Sequence, residues 1–176
     1  MGVFTSAPPA AMNKFLLQPR LPFAAAAAVS LALVGGGIVL AHLLNLAACP
    51  LCILQRMLYL LLALVGIGGL ITVQPLARRL AALAMAAIAA TGAFVAGYQI
   101  WIQRVAHDTN CVADAPWWEQ LVDWAGQHLP LLFEVSGLCS ERPWKLLGLS
   151  IAEWSLLAFS AMFALAVFAA LRRDER

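Results

Sequence analysis

Four long apolar runs, at 22–44, 51–73, 80–102 and 149–171, leave this chain few folds to choose from. Each is long enough to cross a bilayer. In lipid such a run satisfies its backbone polar groups as a helix. With 63% hydrophobic and 11% charged residues, the 176-residue chain departs from soluble composition in the same direction. The expected fold is therefore an all-α membrane protein, a four-transmembrane-helix bundle over 22–171. Tails at 1–21 and 172–176 flank it, and a long loop occupies 103–148. The net charge of +2, with no basic patch interleaved with aromatics, argues against nucleic acid as a partner.

Basic residues orient the bundle. Lys14, Arg20, Arg78, Arg79, Arg172, Arg173 and Arg176 fall in the tails and the second connection. On the other side Arg104, Arg142 and Lys145 are outnumbered by Asp108, Asp114, Glu119, Asp123, Glu134 and Glu141. The positive-inside bias predicts cytoplasmic termini. Cys49, Cys52, Cys111 and Cys139 then all face outward, where disulfides persist.

Between the first two spans stands Cys49-Pro50-Leu51-Cys52-Ile53-Leu54-Gln55-Arg56. A C-x-x-C pair can close a small disulfide and reopen it. A helix beginning at Pro50 makes Cys49 its N-cap and puts Cys52 in its first turn, where the positive helix end favours thiolate. Arg56 lies at i+4 from Cys52, on the same face. A charge inside a span is costly and by default functional. The structural alternative is an arginine snorkelling to the headgroups.

These residues admit other readings. Two outward thiolates without a neighbouring Cys/His pair make a poor zinc site, so no metal is expected. Leu46-Ala47-Ala48-Cys49 has the form of a lipoprotein cleavage box. The preceding run, however, exceeds a signal h-region, and a second cysteine and an arginine follow at once. Cys111 and Cys139 can form a structural disulfide or exchange with the inner pair. Four cysteines allow three connectivities, and sequence does not choose among them. His42, near the end of the first span, reads as a boundary residue.

The long loop contains an amphipathic helix, Pro116 to His128, with Asp114 as N-cap. Trp117, Trp118, Leu121, Val122, Trp124 and Ala125 share one arc. Three tryptophans suit the headgroup level, so this helix is expected to lie on the membrane, or to cap the bundle as a lid.

With both cysteine pairs in place, the chain resembles the DsbB family of membrane thiol:quinone oxidoreductases. The resemblance covers nearly the whole bundle. Its most specific pieces are C-P-L-C-I-L-Q-R at 49–56 and the stretch from Ser136-Gly137-Leu138-Cys139 through Trp144 and Leu147-Gly148-Leu149 to Trp154. It implies a bacterial inner-membrane enzyme that reoxidises a DsbA-like periplasmic thiol oxidase. The reduced donor attacks Cys111, Cys139 is released and passes electrons to Cys49, and Cys52 reduces a quinone, ubiquinone or menaquinone, beside Arg56. Thiolate–disulfide exchange supplies such a relay without metal. Family members often carry a histidine toward the outer end of the third span. Here Tyr98-Gln99-Ile100-Trp101-Ile102-Gln103 stands there, making Gln99 the substitute candidate for a quinone contact.

Two other readings compete. Vitamin K epoxide reductase-type proteins also use four spans and two cysteine pairs, but their membrane C-x-x-C comes late in the chain. A non-enzymatic scaffold or metal-handling protein would use the outer cysteines structurally. Loss of turnover on replacing Cys52 separates it from an enzyme.

Overall fold

The computed structural model describes residues 20–105, 116–140 and 144–172. Cys111, Asp114 and the charges Lys14, Asp108, Glu141, Arg142, Arg173 and Arg176 lie outside them. The architecture is all-α. Helices α1 (Leu21–Leu44), α2 (Pro50–Ile71) and α3 (Pro75–Arg104) come first, and α6 (Ile151–Leu171) comes last. These four are long and apolar enough to cross a membrane. Between α3 and α6 lie α4 (Trp117–His128), α5 (Pro130–Phe133) and a minimal hairpin, β1 (Lys145–Leu146) with β2 (Leu149–Ser150).

Local chemistry sets the breaks. A proline stands in the first turn of α1, α2 and α3, where its missing N–H costs nothing. Asn45 closes α1 in the left-handed conformation, with its N–H on the Ala41 carbonyl. Leu147 and Gly148, at φ 53° and 83°, turn the hairpin. Ser150 and Glu153 form a reciprocal capping box at the start of α6. The Ser150 N–H donates to Glu153 Oε2 at 2.6 Å, and the Glu153 N–H to Ser150 Oγ at 3.4 Å. The second Glu153 oxygen takes Arg104 from the end of α3, tying the outer ends of α3 and α6 together.

Close approach between helices depends on small residues. A Cβ on Gly92 would lie 2.3 Å from the Phe159 ring, so only glycine lets α3 meet α6 there. Phe159 in turn stacks on Tyr59 of α2, with centroids 4.1 Å apart, and the Tyr59 hydroxyl pairs with Ser155 Oγ at 2.9 Å. By contrast a Cβ on Gly35, Gly36 or Gly37 of α1 would meet open space.

Helix α4 packs against the outer half of α2. Val122 and Ala125 are buried in a cluster with Ile53, flanked by Leu54, Met57 and Leu60. Trp118 covers a second cluster containing Cys49, Leu51 and Cys139. Trp117, Leu121 and Trp124 remain exposed on the other side of the same helix. The apolar arc read from the sequence is thus divided. One stripe holds α4 to the bundle and the other is left facing outward.

Candidate functional site

Three sulfurs meet where α2 begins. Cys49 is the N-cap of α2 and is buried; its sulfur accepts from the Cys52 N–H at 3.4 Å. The Cys49 and Cys52 sulfurs are 3.0 Å apart. Cys139, from the connection before the last span, hydrogen-bonds with Cys49, and it also receives the Leu51 N–H. The first-turn amides of α2, which no helix can satisfy internally, are therefore spent on sulfur. All three cysteines are unbonded thiols.

Cys139 is placed by backbone docking. The N–H groups of Ser136 and Gly137 both donate to the Ala48 carbonyl, at 2.9 and 3.0 Å. Ser136 Oγ accepts from the Ala48 N–H at 3.2 Å. A Cβ on Gly137 would stand 2.8 Å from Ala47 Cβ and 2.9 Å from the Ala47 carbonyl oxygen. Glycine here is what lets the outer segment seat beside Cys49.

The two sulfurs that pair across the loop have opposite acidities. Contact with Cys139 pushes the Cys49 thiol well above the ordinary range, with Cys52 and burial adding to it. The Cys49 thiol in turn holds Cys139 low, as does the Leu51 amide. In the reduced protein Cys139 therefore keeps its thiolate to lower pH, while Cys49 stays protonated to higher pH. Iodoacetamide alkylation followed by site-resolved mass spectrometry reads the difference. The Cys139 midpoint is expected below the ordinary thiol value of about 8.5 and the Cys49 midpoint above it. Coincident midpoints would contradict this assignment.

Beyond Cys52 opens a cavity of about 640 Å³. Cys52, Gln55, Arg56 and Tyr59 form its α2 wall, Leu33, Gly36 and Gly37 its α1 wall, and Leu157 and Ala158 its α6 wall. Its size and apolar lining suit a flat ring carrying a hydrocarbon chain. Arg56, half-buried, donates to the Leu132 carbonyl of α5 while lining this space. It also lines a second cavity, of about 610 Å³, with His42 and Glu134.

Gln99 stands elsewhere. It is buried on α3, and its Nε2 donates to Cys52 Sγ at 3.1 Å and to Cys49 Sγ at 3.4 Å. Its Oε1 accepts from Gln55 Nε2 at 2.7 Å. It is not among the residues lining the large cavity; it borders a void of about 40 Å³ behind the sulfurs.

The family model described as Disulfide bond formation protein DsbB matches residues 19–169. The chain belongs to the DsbB family. Disulfide bond formation protein B of Dechloromonas aromatica is 40% identical over 153 residues, covering 82% of this chain and 88% of that protein. Disulfide bond formation protein B 1 of Pseudomonas aeruginosa is 34% identical over 161 residues, covering 90% and 98%. Disulfide bond formation protein B of Nitrosospira multiformis is 31% identical over 156 residues, covering 82% and 86%. Membership in the DsbB family makes the chain a membrane disulfide oxidoreductase.

Of the residues singled out from sequence, Cys49, Cys52 and Cys139 converge, Arg56 lines the adjoining cavity, and Cys111 lies outside the described residues. Sequence reasoning gave no role to Gln55, Ala48, Ser136 or Leu132. Gln55 and Ser136 carried a signal, as members of the two family motifs, and Gln55 also as an uncharged polar residue inside an apolar run.

Proposed function

We propose that this protein reoxidises a DsbA-like thiol oxidase and passes the two electrons through Cys111–Cys139 and then Cys49–Cys52 to a membrane quinone. One observation carries the reading: Cys49 touches both Cys139 and Cys52, so exchange between the outer and inner pairs needs no further travel. The reduced donor attacks Cys111, which frees Cys139 as a thiolate. Cys139 then attacks Cys49 of the inner disulfide. The Cys139–Cys49 bond forms, the Cys49–Cys52 bond breaks, and Cys52 leaves with the electron pair. Contact with Cys49 favours the Cys139 thiolate, which suits the attacking role.

The cavity beside Cys52 fits a quinone, with Arg56 and Tyr59 at its polar end and apolar helix faces around the rest. A bound quinone supplies the acceptor for two electrons and two protons. Arg56 provides fixed positive charge at that end, and the Leu132 carbonyl holds its guanidinium in place. The basic flanks support a cytoplasmic position for both chain ends in a bacterial inner membrane, and a periplasmic one for the cysteines. The exposed Trp117, Leu121 and Trp124 stripe of α4 rests at the lipid headgroups.

The test is oxidation of a reduced DsbA-like donor by purified protein with added quinone. Quinone-dependent turnover is expected, and its absence with both substrates present would overturn the reading. Arg56→Ala is expected to lower kcat/KM for quinone about a hundredfold. Thiol exchange at Cys111 should continue unchanged. Wild-type quinone kinetics would remove Arg56 from the site.

A further inference from the structure

Cys52 has two sides. One faces the large cavity, and the other faces an amide that the relay chemistry does not use. Gln99 reaches both inner sulfurs through one nitrogen, and a primary amide nitrogen carries two hydrogens, one for each. Gln99 is 2% exposed and Gln55 4%, so water does not compete for either amide. Gln55 has one visible task here. By donating to Gln99 Oε1 it fixes which end of the Gln99 amide faces the sulfurs. With Gln55 in place the nitrogen faces sulfur. Without it, the amide is free to turn its oxygen, a poor neighbour for a thiolate, toward Cys52.

We propose that Gln99 is the hydrogen-bond donor that holds the reduced inner pair, and that Gln55 is a positioning residue that sets its orientation. This rests on the electron path proposed above and reassigns Gln99 from the ring to the sulfurs. When Cys139 takes Cys49 into a disulfide, Cys52 is left carrying the electron pair as a thiolate. A hydrogen bond to a charged acceptor is about twice as strong as one to a neutral acceptor. The Gln99 amide therefore favours the reduced state of the pair over its disulfide. It does so from the side away from the cavity, leaving the other face of Cys52 open to an acceptor.

The test uses full-length protein carrying Cys111→Ser and Cys139→Ser, so that Cys49 and Cys52 titrate alone against glutathione. Gln99→Glu keeps an oxygen for Gln55 but offers sulfur an acceptor in place of a donor. It is expected to lower the equilibrium constant for reducing the pair by about tenfold or more. Gln99→Met keeps the volume without the donor, and carries the test should the glutamate variant not fold. It should lower the constant by a smaller factor in the same direction. Gln55→Glu can no longer donate to Gln99 Oε1, and it should shift the constant the same way although it touches neither sulfur. In otherwise native protein Gln99→Met should lower kcat while leaving KM for quinone unchanged.

An unaltered equilibrium constant in the folded Gln99 variants would overturn the proposal, as would a raised quinone KM with kcat intact. The glutathione titration needs neither donor nor quinone. Failure of the electron path and failure of the amide assignment therefore give different results.

Discussion

Cys52→Ser is expected to abolish quinone reduction, lowering turnover by about a thousandfold or more. The substitution changes little else. Cys52 is half-buried, the serine hydroxyl is smaller than the thiol, and its oxygen can still accept from Gln99. The fold should therefore survive, and the loss should be one of chemistry. Cys49 and Cys139 remain in contact, so oxidation of the variant should leave them joined, with no Cys52 sulfur to pass the electrons on. Mass spectrometry of the non-reduced digest reads that bond, and stopped-flow quinone absorbance reads turnover. If the serine variant turns over as the native protein does, the relay is wrong.

Gly137→Val should break the transfer between pairs while sparing the first encounter with the donor. A Cβ at this position already falls within 3.0 Å of Ala47 atoms, so a branched side chain must lift the segment. That costs the two amide bonds to the Ala48 carbonyl and draws Cys139 off Cys49. A misplacement of about 1 Å between reacting groups costs about a hundredfold in rate. The inner pair should therefore be reduced about a hundredfold more slowly once the outer pair has been reduced. Attack on Cys111 should proceed at the native rate. Gly35→Val is the control, since its Cβ would meet open space. Native transfer rates in the Gly137 variant would show that docking at Ala48 does not position Cys139.

Much of this architecture can be read without coordinates because lipid makes harsh demands on sequence. An uncharged apolar run must be a helix, and Pro22 and Pro50 mark two of the starts. The C-x-x-C with its arginine is equally legible, because helical spacing alone puts Cys52 and Arg56 on one face. What hydropathy misses is how each helix is rotated and how far it continues. Helix α3 runs from Pro75 to Arg104, past its apolar run at both ends, because backbone hydrogen bonding does not stop where lipid does.

Meetings across the bundle are hidden for a related reason. Gln55 and Gln99 are separated by 44 positions, and Ser136 and Ala48 by 88. Their contacts depend on close approaches at glycine, such as Gly92 on Phe159, that no local pattern encodes. The α4 arc shows the same limit. Its periodicity identified the apolar residues but not which stripe touches protein and which faces outward.

Arg56 is bonded to the Leu132 carbonyl, and a few residues later the same strand of chain is stapled to Ala48 and delivers Cys139. The wall of the cavity and the incoming sulfur thus share one support. Substitutions at Arg56 and at Gly137 should not combine as independent penalties. Once either anchor is released, the second has less left to hold, and the double variant should be less impaired than the product of the two single losses.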